Sequence, residues 1–282
     1  MIAEKEIILT YLLQLFSEKE ILRGLAFKGG TCLRKIHIGS QGRFSTDLDF
    51  TGTREHDPED LILEMMAVFE GPYHGITFDL DDEYYETKDG LSWGINPTYR
   101  HPWNTGGANE IRIQISYRET PTLPTESLAQ CEQSYFKELE FTPARITSLA
   151  LDEMIAEKIR ACCQRSKARD IYDLGIFAVR PLNHDLIRRL VVLKLWQSRT
   201  RFEPEKLIEK LSDGQDFDWS DLAQLVNKDH VIDQEKISSD CASGYRFLTE
   251  MSEDEKTLAS NPYENGRALW EKLRNEIQDR DA

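Results

Sequence analysis

Apolar residues recur at helical spacing near the start of the chain, which predicts a helix over residues 3–17 whose apolar side covers a sheet. A second helix is predicted from Asp57, because Pro58 suits the first helical position and acidic residues favour the first turn. From residue 75 the spacing changes to every second residue. This alternation predicts strands over residues 76–80, 84–87, 91–95 and 110–117.

The second half of the chain returns to a helical pattern. A short strand over residues 139–141 is predicted to close the sheet before Pro143, and no strand spacing follows it. Helices are predicted over residues 148–165, from about 167 to just before Pro181, and over 204–211, 218–226 and 266–277. The predicted fold class is therefore α+β: a mixed sheet with flanking helices over residues 1–145, followed by a helical domain over residues 146–282.

Two aspartates lie two positions apart on a short strand inside the segment 27–52. Because side chains at i and i+2 of a strand point to the same face, Asp47 and Asp49 project together while Leu48 and Phe50 face the core. Carboxylates held this close repel unless a cation lies between them. Oxygen ligands of this kind suit Mg²⁺, which keeps several waters and is completed by substrate phosphates. The sequence predicts a site at Asp47 and Asp49 for one or two Mg²⁺ ions.

A glycine pair precedes this strand. Gly29 and Gly30 form a predicted turn after a strand over residues 25–27, and a helix is predicted to open at Thr31. The start of a helix presents free N–H groups to an anion. Taken alone, a D-x-D tripeptide more often caps a turn, and a Gly-Gly pair is usually only a turn. Their order within 26 residues is more specific and predicts binding of a metal-bound nucleoside triphosphate.

The overall charge argues against one class of function. The 282 residues carry a formal charge of −15, so bulk attraction to nucleic acid is excluded as a binding mode. Residues 158–199, however, contain ten Lys or Arg and only three Asp or Glu. This local excess is consistent with a site for the phosphates of a nucleotide or an RNA backbone, or with cations that pair with acids elsewhere on the surface.

The cysteines and the N-terminal segment indicate the cellular compartment in which the protein is expected. Five cysteines are an odd number and lack the spacing of a zinc site, which predicts reduced thiols in a cytoplasmic protein. Charged and polar residues interrupt the first predicted helix, so neither a signal peptide nor a membrane span is expected.

Two blocks of the sequence resemble the AbiEii/AbiGii toxin family of nucleotidyltransferases, within the polymerase-beta-like superfamily. The first block contains Lys28-Gly29-Gly30-Thr31, Lys35 and Arg43-x-Ser45-x-Asp47-x-Asp49-Phe50. The second contains Lys167-x-Arg169-Asp170-x-x-Asp173-Leu174, after a helix with Glu157-Lys158. The resemblance implies a polymerase-beta-like fold and a toxin that transfers a nucleoside monophosphate from an NTP to RNA, with tRNA as the expected acceptor. It also implies a cognate antitoxin as partner.

Roles for the matching residues follow from this resemblance. Asp47 and Asp49 would hold the metal as catalytic residues, with Lys158 and Asp170 as the other catalytic pair. The expected nucleotide-binding residues are Gly29, Gly30, Thr31, Lys35, Arg43 and Ser45. Lys35, Arg43 and Lys158 would neutralise charge on the leaving group, while Asp170 would orient Lys158 or contact the nucleotide. Arg169 and Asp170 could equally form an internal ion pair, with Asp173 facing a core arginine.

Gln114 departs from the superfamily pattern. A third carboxylate usually lies on a neighbouring strand, and the matching position here holds Gln114, an amide that cannot act as a base. Two alternatives to RNA modification stay open, the first favoured if the cations between residues 158 and 199 are buried in ion pairs and the second by Gln114. One is nucleotidylation of a small molecule or a protein side chain, and the other is a nucleotide-binding interaction protein without turnover.

Overall fold

The computed structural model describes residues 2–53, 57–80, 84–102, 109–227, 231–263 and 266–279. The chain divides into two compact units. The first contains residues 1–121 and 125–149, and the second contains residues 122–124 and 150–282. Residues 146–149 were expected in the helical domain, but they belong to the first unit, because Ile146–Ser148 forms a strand there.

The first unit is built on a seven-stranded sheet that places the acid pair on a central strand. The strands are β1 (Leu25–Lys28), β2 (Asp47–Gly52), β3 (Thr77–Asp79), β4 (Tyr84–Glu86), β5 (Ser92–Ile95), β6 (Thr98–Arg100), β7 (Asn109–Glu110), β8 (Arg112–Ser116), β9 (Glu126–Leu128) and β10 (Ile146–Ser148). The large sheet has the order β4-β5-β8-β2-β1-β10-β9, and β3, β6 and β7 form a second sheet. The seven-stranded sheet is mixed, because β2 pairs in parallel with β8 and antiparallel with β1.

The strand alternation predicted from the sequence is present in β2. Leu48 and Phe50 are buried, whereas Asp47 and Asp49 are half-buried on the other face. In the ladder, Asp49 lies opposite Lys28 of β1 on one side and opposite Gln114 of β8 on the other. The core beneath the sheet includes Phe27 and Phe50, whose ring centroids lie 5.3 Å apart.

Helices of the first unit cover this sheet. They are α1 (Ile2–Glu18), α2 (Gly29–Cys32), which continues as a π-helical segment (Leu33–Ile38), and α3 (Pro58–Ala67). Asp57 caps α3 by accepting hydrogen bonds from the main-chain N–H groups of Glu59 and Asp60. Helix α2 begins at Gly29 and not at Thr31 as predicted, so both glycines belong to its first turn.

The sheet closes differently from the prediction. Residues 139–141 are not a strand; a 3₁₀ turn (Phe136–Glu138) precedes them, and the closing strand is β10. Strands β6 and β9, each of three residues, were not predicted. The strand predicted over residues 110–117 is divided at Ile111 between β7, in the small sheet, and β8, in the large one.

The second unit is helical, as the sequence predicts. Its helices are α4 (Leu151–Gln164), α5 (Ala168–Ala178), α6 (His184–Gln197), α7 (Pro204–Asp213), α8 (Gln234–Gly244), α9 (Glu253–Ser260) and α10 (Arg267–Gln278). Helix α4 packs against α5 and α6, and α5 packs against α8. The helix predicted over 218–226 is only a 3₁₀ turn (Leu222–Gln224). Helices α8 and α9 were missed because their polar sequences show little helical spacing of apolar residues.

Candidate active site

The carboxylate of Asp49 lies directly against Gly29. A Cβ atom placed on Gly29 would be 2.7 Å from Oδ2 of Asp49, closer than real Cβ contacts allow. Gly29 also has a φ of 79°, in the left-handed region that favours glycine. Two independent features therefore require glycine here, and the Asp49 carboxylate lies at the start of α2.

Thr31 fixes the other aspartate through the main chain. Its side chain is buried, and its hydroxyl donates a short hydrogen bond to the main-chain carbonyl oxygen of Asp47. The carboxylate of Asp47 accepts a hydrogen bond of 3.2 Å from the hydroxyl of Thr46. Thr31 was expected among the nucleotide-binding residues; its hydroxyl holds the start of β2 against α2.

Arg43 and Ser45 come together at Gly30. A Cβ on Gly30 would meet the guanidinium of Arg43, and it would lie 3.3 Å from Oγ of Ser45. The side chain of Arg43 is buried and donates to the main-chain carbonyl of Phe44 at 3.1 Å. The structure thus places Gly29 beside Asp49, and Gly30 beside Arg43 and Ser45, two of the residues that the family resemblance implies for nucleotide binding.

Lys35 was expected to contact the nucleotide, and this prediction was wrong. Its side chain is 1 % exposed. Its ammonium donates to the Thr10 hydroxyl at 2.7 Å, to the main-chain carbonyl of Glu6 at 3.1 Å and to the Tyr135 hydroxyl at 3.3 Å. Burial lowers the pKa of Lys35 to about 7. The physical reason is that this side of the helical segment after α2 packs against α1.

Arg34 also binds a residue of α1. Its guanidinium forms two hydrogen bonds with the Glu6 carboxylate, Nε to Oε1 at 2.7 Å and Nη2 to Oε2 at 2.8 Å. Both side chains are almost fully buried. Lys35 and Arg34 therefore join the segment after α2 to α1.

In the second unit, Lys158 and Asp170 form a direct ion pair. Nζ of Lys158 lies 3.0 Å from Oδ1 of Asp170 and 2.8 Å from Oδ2 of Asp173. Arg165 also binds Asp170, with 2.7 Å between Nε and Oδ2. Burial alone would raise the pKa of Asp170, but the charges of Lys158 and Arg165 outweigh it and lower the pKa to about 2. Asp170 is therefore ionised and positioned to orient Lys158.

Two sequence-based alternatives for this helix pair find different partners. Asp170 was considered as a partner of Arg169, but its ion pairs are with Lys158 and Arg165. For Asp173, which was considered as facing a core arginine, the structure shows an ion pair with Lys158.

The basic stretch 158–199 is mostly neutralised by acids. At least seven of its ten cations form ion pairs: Lys158, Arg160, Arg165, Lys167, Arg188, Arg189 and Lys194. Several of these acids, such as Glu153 and Glu255, are distant in sequence and buried. Pairing with acids, the second interpretation of this stretch, therefore accounts for most of its cations. The local charge excess is not a row of unpaired positive charges.

Arg112 lies next to the acid pair, which could not be predicted from the sequence. It is exposed on β8, in the register position opposite Asp47. The alternation of β8 put Arg112 on the polar face, but only the strand pairing shows that this face continues that of the acid pair.

The donor set fits Mg²⁺ with substrate oxygens completing the shell. Asp47 and Asp49 are two hard oxygen ligands on one face, which suits an ion that keeps waters and phosphates as its other ligands. Among the residues that the structure describes, no group of three or more His, Cys, Asp or Glu could hold a metal ion without such a substrate.

All five cysteines are free thiols. In the described ranges no helix is long and apolar enough to span a bilayer.

Comparison with known proteins identifies similar molecules. Residues 11–245 match the family model described as nucleotidyl transferase AbiEii toxin, type IV TA system. The chain is similar to the solved structure of MenT4, a nucleotidyltransferase toxin from Mycobacterium tuberculosis H37Rv, with 28 % identity and a TM-score of 0.81. That alignment covers 98 % of this chain and 92 % of MenT4.

A second solved structure shares the fold. It is a proposed nucleotidyltransferase from H. pylori, with 18 % identity, a TM-score of 0.52, and coverage of 100 % of this chain and 98 % of the other. No curated protein matches the chain.

Proposed function

Because the chain belongs to the AbiEii family of nucleotidyltransferase toxins of type IV toxin–antitoxin systems, we propose that it transfers a nucleoside monophosphate from an NTP to RNA. The proposed acceptor is tRNA in the cytoplasm, and the proposed partner is a cognate antitoxin. The observation that supports this most directly is the contact of the Asp49 carboxylate with Gly29 at the start of α2. An acid pair and a main-chain anion site then lie side by side.

Asp47 and Asp49 are the residues that would hold Mg²⁺. When bound, a divalent ion at two carboxylates polarises phosphate oxygens and lowers the pKa of an attacking hydroxyl. The main-chain N–H groups in the first turn of α2 lack helical partners and can donate to phosphate oxygens. Arg43, packed on Gly30, places a positive charge next to those groups.

The reaction is a single displacement at phosphorus. The acceptor hydroxyl gives up its proton to solvent as its oxygen forms a bond to the α-phosphorus; the bond from the α-phosphorus to the oxygen that bridges it to the β-phosphorus breaks, and pyrophosphate leaves with that electron pair. In the helical unit, Lys158 is the residue proposed to neutralise negative charge on the leaving pyrophosphate, and Asp170 is the residue proposed to orient Lys158. Both carboxylates that hold Lys158 are buried, so its ammonium has a defined position.

A second candidate acceptor is a small hydroxylated molecule or a protein side chain. The ion pairing of at least seven of the ten cations between residues 158 and 199 favours it, since paired cations attract an RNA backbone less strongly. Binding of nucleotide without turnover is the third candidate, and Gln114 in place of an acid favours it.

Transfer of label from NTPs distinguishes these candidates. The protein is incubated with Mg²⁺, each α-labelled NTP and total tRNA, and the products are separated by size and by nuclease and protease digestion. Label in nuclease-sensitive material supports RNA as the acceptor. Label in protein or in a small product supports the second candidate, and NTP binding with no transfer supports the third.

The matched controls for this experiment are Asp49→Asn and Asp79→Asn. Asp49→Asn keeps the shape of the side chain but removes a metal ligand, so transfer is expected to stop. Asp79 is an exposed strand residue that pairs with Arg100, and its replacement is expected to leave transfer unchanged. Full activity of Asp49→Asn would contradict the proposed metal site.

A further inference from the structure

The geometry points to Arg112 as a further substrate-binding residue, whose guanidinium binds a phosphate of the NTP at Asp47 and Asp49. This inference rests on the proposed nucleotidyl transfer and adds to it a residue outside both sequence blocks of the family resemblance. Tyr85 and Gln114 are its positioning residues.

Strand pairing places these residues in one row across the sheet. At one level of the ladder, Asp49 of β2 lies opposite Gln114 of β8, Gln114 opposite Gly94 of β5, and Gly94 opposite Tyr85 of β4. Register partners share a face of the sheet, so Tyr85 and Gln114 project on the same side as Asp49. Arg112 lies two residues before Gln114 on β8, opposite Asp47, and therefore projects from this face as well.

Gly94 allows the ring of Tyr85 to lie across the sheet. A Cβ on Gly94 would be 2.5 Å from both Cζ and the hydroxyl oxygen of Tyr85, so any larger residue would displace the ring. In this position the Tyr85 hydroxyl accepts a hydrogen bond of 3.2 Å from Nε of Arg112. The guanidinium carbon lies 6.0 Å from the ring centroid of Tyr85. The tyrosine thus holds an exposed arginine in one orientation.

The hydrogen-bond partners of Arg112 are neutral. Besides Tyr85, its Nη2 donates to Oε1 of Gln114. In the described part of the chain, its hydrogen bonds go to these two uncharged groups, and its side chain stays exposed. An arginine fork held in this way keeps donors available for an anion.

Electrostatics explains why that anion is a phosphate and not one of the aspartates. In the free protein, the hydrogen bond with Tyr85 contributes most to raising the pKa of Arg112, and the charges of Asp49 and Asp47 contribute less. A divalent ion on the two carboxylates offsets their charge, while the triphosphate it carries brings additional negative oxygens. The guanidinium beside the metal site then interacts with those oxygens, because the carboxylates are already neutralised.

This arrangement also accounts for an amide at position 114. A carboxylate there would form an ion pair with the Arg112 fork and hold it away from phosphate. A third acid would in turn add negative charge next to the NTP. Gln114 accepts the same hydrogen bond without either effect.

Replacement of Arg112 tests the inference through substrate binding. Arg112→Gln is expected to raise the KM for the NTP by roughly tenfold or more, as loss of a charge-assisted hydrogen bond does, with a smaller change in kcat. Arg112→Lys keeps the charge and is expected to recover part of this loss. Arg118→Gln is the matched control, because Arg118 is an exposed arginine just beyond β8 that pairs with Asp89 at 2.9 Å.

The positioning residues give a second, independent readout. Tyr85→Phe removes the hydroxyl that holds Nε of Arg112 and is expected to raise the KM by a smaller factor without lowering kcat. Gln114→Glu is expected to raise the KM at saturating Mg²⁺. If position 114 instead served as a vacant third metal ligand, Gln114→Glu would lower the KM or raise kcat, and that result would overturn the inference.

Binding of Mg²⁺–NTP by titration calorimetry separates this inference from the proposed function. Weak binding by Arg112→Gln, with wild-type melting temperature, supports it. Wild-type binding by Arg112→Gln, alongside lost binding by Asp49→Asn, overturns the inference and leaves the proposed function intact. Absence of any NTP binding by the wild-type protein overturns both.

Discussion

The hydroxyl of Thr31 donates a hydrogen bond to the main-chain carbonyl oxygen of Asp47. This bond joins the first turn of α2 to the first residue of β2, so the proposed main-chain anion site and the acid pair are held in one geometry. Thr31 thereby acts on the site through the backbone of Asp47.

Removal of this hydroxyl is expected to slow transfer without unfolding the protein. Thr31→Val keeps the shape of the side chain but leaves the Asp47 carbonyl without its donor, which costs about 1 kcal/mol of stability. A shift of Asp47 of the order of 1 Å can reduce the transfer rate by up to about a hundredfold. Thr31→Ser keeps the donor and is expected to retain most activity. Equal rates for the two variants, measured with labelled NTP, would contradict the role of the hydroxyl.

The contact between Gly29 and Asp49 gives a second prediction. Gly29→Ala introduces strain at a φ of 79° and also forces the Asp49 carboxylate away. Gly71→Ala is the matched control, since Gly71 has a φ of 89° and no atom within 4 Å of an added Cβ. Both variants are expected to lose about 1–2 kcal/mol of stability from the left-handed backbone. Only Gly29→Ala is expected to lose transfer; if both lose it alike, the Asp49 contact is not the cause.

Lys35 predicts a pH dependence of stability. Its pKa is about 7 in the folded protein against 10.5 ordinarily, so between these values the unfolded chain binds more protons. The contribution of Lys35 to the free energy of unfolding therefore rises with pH, by about 2 kcal/mol from pH 7 to pH 9. Lys35→Met removes this contribution. Urea denaturation should show the difference between wild type and variant increasing over that range, whereas parallel pH profiles would contradict it.

The buried Lys158–Asp170 pair gives a stability prediction for the helical unit. Asp170→Asn leaves Arg165 and Lys158 with one fewer buried partner, which is expected to cost about 3 kcal/mol in the free energy of unfolding at pH 7. Asp221→Asn is the control, because Asp221 is 61 % exposed and pairs with Lys167 at 3.3 Å. Exposed pairs of this kind contribute about 0–1 kcal/mol. Similar losses for both variants in urea denaturation would contradict a structural role for the buried pair.

Several features of the protein could be predicted from local sequence. The resemblance to the AbiEii family is confirmed by the family match over residues 11–245. The shared face of Asp47 and Asp49 follows from the two-residue period of a strand, which no tertiary contact can change. Gly29 and Gly30 were expected beside these acids from their order in one short segment, whereas Arg43 and Ser45 were implied by the family resemblance.

The failed predictions concern residues whose partners lie far away in the chain. Lys35 has the same sequence context whether it faces a nucleotide or α1, and its contact with Thr10 depends on how the segment after α2 packs. The cations between residues 158 and 199 show a charge excess in the sequence, but acids such as Glu153 and Glu255 neutralise several of them in the fold.

By itself the sequence determined the family, the α+β class and the pair of carboxylates, because these depend on residue type and local spacing. Only the tertiary structure decided that Thr31 holds the Asp47 backbone, that Lys35 is buried, and that Arg112 lies opposite Asp47. Strand register and helix packing bring together residues separated by many positions. Burial then determines which charges must find partners within the protein and which stay available for a substrate.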